Sequence, residues 1–165
     1  MKIEIQQASV ADKLILRHLL QLYLHDFSVY DRVDVDEHGL YDYPRIDHYW
    51  TEDTRYPFLV RVDDHIAGFA LVREMEASEV DTLTYSIAEF FILRKYRQQG
   101  IGKTVAFQLF DRFRGNWYVG QYVSNEPSHV FWRKVIGEYT GGQFEQIKNL
   151  DQDGPAQIFN NDISS

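Results

Sequence analysis

Between the apolar run AEFFIL (88–93) and the helix-like TVAFQLFDRF lies Arg97-Gln98-Gln99-Gly100-Ile101-Gly102-Lys103-Thr104, a stretch built to hold phosphates. Gly100 and Gly102 let backbone N–H groups approach an anion with no Cβ in the way. A helix starting there adds uncompensated donors and a positive dipole end. Arg97 and Lys103 put cationic side chains at the rim. The ending Gly-Lys-Thr is that of a nucleotide-triphosphate loop, but the loop's opening glycine would fall on Arg97, so the wrap lacks its first residue. A dinucleotide fingerprint starting at Gly100 would need its third glycine at Val105. What remains is R-x-x-G-x-G between a buried strand and a helix, a cradle that suits a pyrophosphate without a metal ion.

The bulk numbers narrow the partners. A chain of 165 residues, 44% hydrophobic, fits one domain with one real core. With 25 acids against 17 bases the net charge is -8, which disfavours nucleic acid and suits cationic or neutral substrates or plain solubility. There is no cysteine, so thiol catalysis, disulfides and thiolate zinc sites are excluded. His25, His38 and His48 show no metal spacing. No apolar run reaches the roughly 20 residues of a membrane helix, and the N-terminus has no signal-peptide core. The expectation is a cytoplasmic protein with no membrane partner.

The elements that must position the loop read as follows. KIEIQ alternates as a short first strand, and Ser9-Val-Ala-Asp12 starts a helix like a capping box. That helix stripes Leu16, Leu19, Leu20, Tyr23 and Phe27 and should run to about Ser28 or Tyr30. Residues 30–54 form a long loop rich in acids and aromatics, with a short helix at about Ile46–Trp50. FLVRV, a DDH turn and IAGFALV make a hairpin, and TYSIAEFFIL is a central strand. A helix follows Gly102 with Val105, Ala106, Leu109, Phe110 and Phe113 on one face, closing at Arg114-Gly115. NWYVGQYV is the next strand; Asn125 or Glu126 then caps a helix running to Gly137. QFEQI and AQIF flank a DQDG turn as terminal strands, and the tail 161–165 is expected to fray. Hairpins beside helical crossovers predict an α+β fold with a mixed sheet.

At this point the chain resembles the GNAT superfamily of N-acetyltransferases, whose signature [QR]-x-x-G-x-[GA] is matched by RQQGIG. FFIL-RKY-RQQGIG-KTVAFQLF is similar to that family's strand four, pyrophosphate loop and following helix. SNEPSHVFWRKVIG is similar to its later Asn-x-x-Ala-x-x-Phe-Tyr segment, with Ser128 for the alanine. The resemblance spans about residues 3–145 and is specific from about 85 to 137. It implies one domain over 1–165, a three-layer α/β/α acyl-CoA N-acyltransferase fold with a mostly antiparallel sheet splayed between strands four and five. It also implies acetyl-CoA as cosubstrate, no metal, a small-molecule or protein amine as acceptor, and a homodimer as one oligomeric option.

Position by position, the resemblance assigns the pantetheine arm to the main chain of Phe91, Ile92 and Leu93. The phosphates fall to Gln98, Gln99, Gly100, Ile101, Gly102 and Lys103, with Arg97 beside them. Gly120 marks where the strands part, or an ordinary bulge, and Asn125 bonds the cofactor arm or simply caps its helix. A free amine, with pKa near 10, is mostly protonated at neutral pH, so a base or water wire must take its proton. The side-chain base in reach is Glu89, whose apolar surroundings should raise its pKa. Strict alternation puts Glu89 on the face of Ile87 and Phe91, while the family's usual base positions fall on Ser86 and Ala88, which cannot serve. A β-bulge would turn Glu89 to the other side; the structural alternative is a partner for an arginine or a backbone cap.

Where the family carries a tyrosine as general acid, this chain has Trp132, leaving Tyr122, Tyr118 or solvent to supply the proton. The acceptor segment holds Tyr30, Asp31, Asp34, Asp36, Glu37, Tyr41, Tyr43, His48, Tyr49 and Trp50. Tyr30, Tyr41 and Trp50 are the expected aromatic contacts to the amine, with the acids holding its charge; equally, the acids are a solvated loop and the aromatics core plugs. Trp132 and the unsuitable Ser86 and Ala88 also motivate an alternative, a non-catalytic acyl-CoA-binding module of the same fold.

Overall fold

The computed structural model describes residues 1–150 and 153–162. Asp151 and Gln152 of the expected DQDG turn, and 163–165 of the tail, lie outside the described residues. The strands are β1 (Ile3–Gln7), β2 (Arg55–Val62), β3 (His65–Glu74), β4 (Thr84–Ile92), β5 (Asn116–Gly120), β6 (Glu145–Lys148) and β7 (Pro155–Asn160). The helices are α1 (Lys13–Asp31), α2 (His48–Thr51), α3 (Ile101–Arg112) and α4 (Glu126–Thr140). One sheet of seven strands runs β1-β2-β3-β4-β5-β7-β6, antiparallel except where β4 meets β5.

Alternation along the strands sends side chains to two separate cores. Phe58, Val60, Ala70 and Val72 face α3 and α4, where they meet Val105, Leu109, Phe110, Trp132 and Ile136. Their neighbours Leu59, Phe69 and Leu71 face the other way, onto Leu16, Leu19 and Leu20 of α1 and onto Tyr49. Helices therefore cover both faces, the α/β/α arrangement expected. The β2–β3 hairpin turns on Asp63 and Asp64, both at positive φ (47° and 67°), as a two-residue turn with the strands' own twist requires.

Several boundaries differ from the sequence reading. The α1 start is a 3₁₀ turn over Val10–Asp12, with the Asp12 carboxylate accepting from the Ser9 N–H at 3.0 Å. Helix α1 continues to Asp31, and α2 is His48–Thr51. Helix α3 begins at Ile101, one residue before Gly102, because Gly100 is its N-cap. Helix α4 passes through Gly137 and stops at Gly141. Strand β5 ends at Gly120 instead of Val123, since the chain then turns, Asn125 N–H returning to the Tyr122 carbonyl at 3.1 Å. The tail is not wholly frayed. Asn161 is buried, donating to the Phe110 carbonyl at 2.7 Å and accepting from the Gly115 N–H at 2.8 Å, which ties it to the end of α3.

Strand β3 comes close enough to β4 at one point to admit only hydrogen. A Cβ on Gly68 would sit 2.0 Å from the Phe91 carbonyl oxygen. Gly68→Ala is expected to destabilise the fold by about 3 kcal/mol, because backbone cannot step aside as a side chain can. Chemical denaturation of the variant beside the parent checks this; a change below ~0.5 kcal/mol would contradict it.

Candidate active site

Strands β4 and β5 pair in parallel over only three positions, Thr84–Ser86 against Asn116–Tyr118. Beyond Ser86 they diverge, and the open edge of β4 faces a cavity of roughly 160 Å³. Ile87–Phe90 form one wall, Val119–Tyr122 the other, and Asn125, Ser128 and Trp132 of the α4 end close it. The Leu93 N–H is taken by the Ala67 carbonyl at 2.8 Å. Alternation along the antiparallel pair therefore turns the main-chain groups of Phe91 and Leu93 toward β3, and those of Phe90 and Ile92 toward the gap. Of the three residues assigned to the cofactor arm, Ile92 faces the gap through its main chain, and Leu93 does not offer its N–H.

The loop past β4 carries the donors. The backbone turns left-handed at Gln98 (φ 60°) and Gly100 (φ 76°), and α3 starts with no side-chain cap. Among the described residues, no hydrogen bond engages the amides from Gln98 to Lys103. Six donors, among them the N-terminus of α3, are thus left without a partner along this loop. The side chains are less free. Arg97 donates Nε to the Ile92 carbonyl at 2.8 Å and pairs with Asp26 of α1 at 2.9 Å, while Arg94 joins the same carboxylate at 2.6 Å. Burial would raise the Asp26 carboxyl, but the Arg97 and Arg94 hydrogen bonds win and hold it below its ordinary value. Lys103 pairs with Glu138 of α4 at 2.8 Å. Arg97 is thus a brace between α1 and the end of β4, and the loop's offer to an anion is mainly its amides.

Glu89 reaches the site through a bulge. Leu71 pairs with Glu89 and Val72 with Ile87, so Ala88 is the extra residue in β4. Ile87 belongs to the α3–α4 core, whereas Ala88 packs with the α1 core and Glu89 joins it there. Tyr23 of α1 donates its hydroxyl to Glu89 Oε1 at 3.2 Å. Burial pushes the Glu89 carboxyl up to about 7, partly offset by hydrogen bonds from Tyr23 and Tyr43, with the Asp31 charge adding a small rise. The side chain lines the gap between β4 and β5, so a group that titrates near neutrality borders the opening.

The remaining assignments separate. Tyr122 lines the same gap, 37% exposed, its ring 4.9 Å from Phe27. Tyr118 is turned away, its hydroxyl bonded to Asn149. Asn125 caps α4 by accepting from the Ser128 N–H at 3.3 Å and also borders the gap. Trp132 is buried edge-on against Phe90 at 4.9 Å, with one side on the gap. A Cβ on Gly120 would meet the Asn149 side chain at 2.6 Å, so the glycine there makes room for Asn149.

The acceptor segment is arranged otherwise than expected. Trp50 donates its indole N–H to the Ala8 carbonyl, Tyr41 stands 3.2 Å from His25, and Tyr30 packs on Phe27. None of these three lines the gap or the neighbouring cavity; Tyr43 and Tyr49 line the latter. The Asp36 carboxylate is spent on the His38 and Leu40 amides of its own turn, and Asp31 on the Val33 amide. Sequence reasoning missed Asp26; it placed Tyr43 and Tyr49 in the acceptor segment without singling them out from Tyr30, Tyr41 and Trp50. Tyr23 stood on the α1 stripe, but periodicity cannot separate a core phenol from one aimed at a carboxylate.

The family model described as "Acetyltransferase (GNAT) family" matches residues 16–137, well over half of the chain. Among curated proteins no sequence matches. Solved structures share the fold at low identity. A GNAT-family acetyltransferase from Staphylococcus aureus Mu50 is 17% identical, with 96% of this chain and 99% of that one covered, at a TM-score of 0.63. The PaiA N-acetyltransferase of Thermoplasma acidophilum, in complex with coenzyme A, is 13% identical over 97% and 99%, at 0.66. An aminoglycoside acetyltransferase from an uncultured soil metagenomic sample, in complex with sisomicin, is 17% identical over 81% and 86%, at 0.58. Splayed strands, an uncapped amide loop and a family match running from α1 into α4 agree with one another: this chain belongs to the GNAT family of acetyltransferases.

Proposed function

We propose that the chain is an acetyl-CoA-dependent N-acetyltransferase acting on a primary amine by direct attack. The observation that carries this reading is Glu89, a carboxyl raised to about 7 in the wall of the gap left by the parting strands. The chain's residues fit the cosubstrate. The unpartnered amides from Gln98 to Lys103 would take the pyrophosphate, and the β4 edge at Phe90 and the Ile92 N–H would take the pantetheine arm, the Ile92 carbonyl being held by Arg97. When bound, the thioester supplies the acetyl group and a thiol leaving group.

Glu89 accepts a proton from the incoming ammonium, directly or through one water, and a carboxyl near 7 is matched to that task at neutral pH. Tyr23 holds the acceptor oxygen Oε1 in place. Phe27, Phe90 and Trp132 line the gap and limit the water there. Tyr122, on the opposite wall from Glu89, is the phenol placed to return a proton to the leaving thiolate. The Trp132 indole cannot do so.

The test is thiol release from acetyl-CoA across a panel of primary amines. Amine-dependent release is expected. Binding of coenzyme A with no amine-dependent release would favour the non-catalytic acyl-CoA-binding module, which the tryptophan at position 132 keeps in play.

A further inference from the structure

A second cavity, roughly 620 Å³, opens on the α1–α2 side of the sheet and meets the gap at Ala88, which lines both. It is the larger space, and its wall is not what an acid-rich chain would lead one to expect. Arg45, Arg55 and Arg73 line it against Glu76 and Glu79. Arg73 and Glu79 satisfy each other through two bonds of 2.9 and 3.0 Å. Arg55 lies over the Tyr49 ring, 5.4 Å from its centroid, and gives Nε to Glu52 at 2.7 Å. The Tyr49 hydroxyl takes part of the remaining fork, and the donors left over are those a ligand can use. Arg45 is exposed at the mouth and makes no ion pair among the described residues.

The second observation is independent of charge. Tyr49 is 3% exposed, and its hydroxyl, buried in this wall beside the Arg55 guanidinium, has no acceptor for its proton among the described residues. Burying an unpaired hydroxyl costs about 1–3 kcal/mol, so an acceptor oxygen arriving from the cavity would relieve it.

We propose that the acetyl acceptor is an amino carboxylate, its carboxylate held by Arg55, Arg45 and the Tyr49 hydroxyl while its amine reaches Glu89 past Ala88. The planar fork suits a carboxylate. A monoanion also suits the balance, because Glu76 at the rim and Glu89 beyond would repel a dianionic phosphate. A polycation would meet the arginines instead. This inference rests on the transferase reading for the direction of the amine, but the carboxylate contact has its own readout.

The experiment is calorimetric titration of the full chain, saturated with coenzyme A, using amino acids paired with their decarboxylated amines: lysine with cadaverine, tyrosine with tyramine, and so on through the common side chains. In at least one pair the amino acid is expected to bind tenfold tighter or more, as charge-assisted contacts imply. Tyr49→Phe and Arg45→Gln should each remove most of that preference, with coenzyme A affinity unchanged. Amines that bind as well without the carboxylate, or a preference that survives both substitutions, would overturn the carboxylate site. Thiol release with such amines would nonetheless keep the transferase reading. Conversely, a carboxylate preference without thiol release from any pair would retain the site and remove the transferase. A panel that neither binds nor reacts would end both.

Discussion

Glu89→Gln is expected to lower kcat at least about a hundredfold, the usual worth of a positioned general base, while coenzyme A affinity stays within twofold. The separation follows from position: Glu89 lines the gap, and the proposed phosphate donors are main-chain amides from Gln98 onward. Glutamine keeps an oxygen for the Tyr23 hydroxyl, so packing survives the change. Wild-type activity should rise with pH through a limb near 7, where the carboxyl gives up its proton, and the variant should lack that limb. Tyr23→Phe removes a hydrogen bond that favours the ionised form, so it should move the limb to higher pH without abolishing it. A pH–rate profile of the three proteins decides the matter. A Glu89→Gln enzyme with an unchanged limb would remove Glu89 from the mechanism.

The same substitution should stabilise the fold, and the pH dependence has a definite sign. The native Glu89 carboxyl holds its proton up to about 7, whereas the unfolded chain releases it near the ordinary value of 4.5. Between those values the native state binds more protons, so stability falls as pH rises through that window. Above pH 7 the penalty is complete, on the order of 3 kcal/mol at most, and less insofar as cavity water solvates the carboxylate. Glutamine carries no such penalty. Thermal unfolding at pH 5 and pH 8 should therefore show the variant level with the parent at the lower pH and more stable at the higher. Stability gained where activity is lost is the mark of a strained functional group.

How far the site was legible depends on what each residue answers to. The loop Arg97–Lys103 was readable because two glycines and a following helix are local facts of the chain. The divergence of β4 from β5 came only through the resemblance, since no residue between Ser86 and Ile92 states which partner strand will leave it. The direction of Glu89 was undecidable from alternation, because one bulged residue, Ala88, reverses it. The cavity proposed for the acceptor was not legible for a different reason. Composition counted the acids of residues 31–37, but those acids close turns and face solvent, while the cavity draws its arginines from β2, β3 and the chain before α2. Long-range pairings such as Asp26 with Arg97, 71 positions apart, leave no trace in spacing.

Gly100→Val is expected to weaken coenzyme A binding by tenfold or more, while Lys103→Ala costs no more than a few-fold. Lys103 is the loop's conspicuous cation, yet its ammonium already sits 2.8 Å from Glu138, and Arg97 is committed to Asp26 and to the Ile92 carbonyl. An incoming pyrophosphate must compete for those charges, whereas the amides from Gln98 to Lys103 wait without partners. The loop's course into α3 depends on Gly100 holding φ at 76°, a conformation that costs an ordinary side chain about 1–2 kcal/mol and a β-branched one more. Nothing lies within 4 Å of a Cβ built at Gly100, so valine would not clash; it would drive the backbone out of the left-handed well and scatter the donors. Ile101, the loop residue next to Gly100, is anchored in the α3–α4 core, and the fold should survive with a modest loss of stability. Titration calorimetry with coenzyme A ranks the two variants. If Lys103→Ala proved the more damaging, the side chains would carry the phosphate contact and the main chain would not.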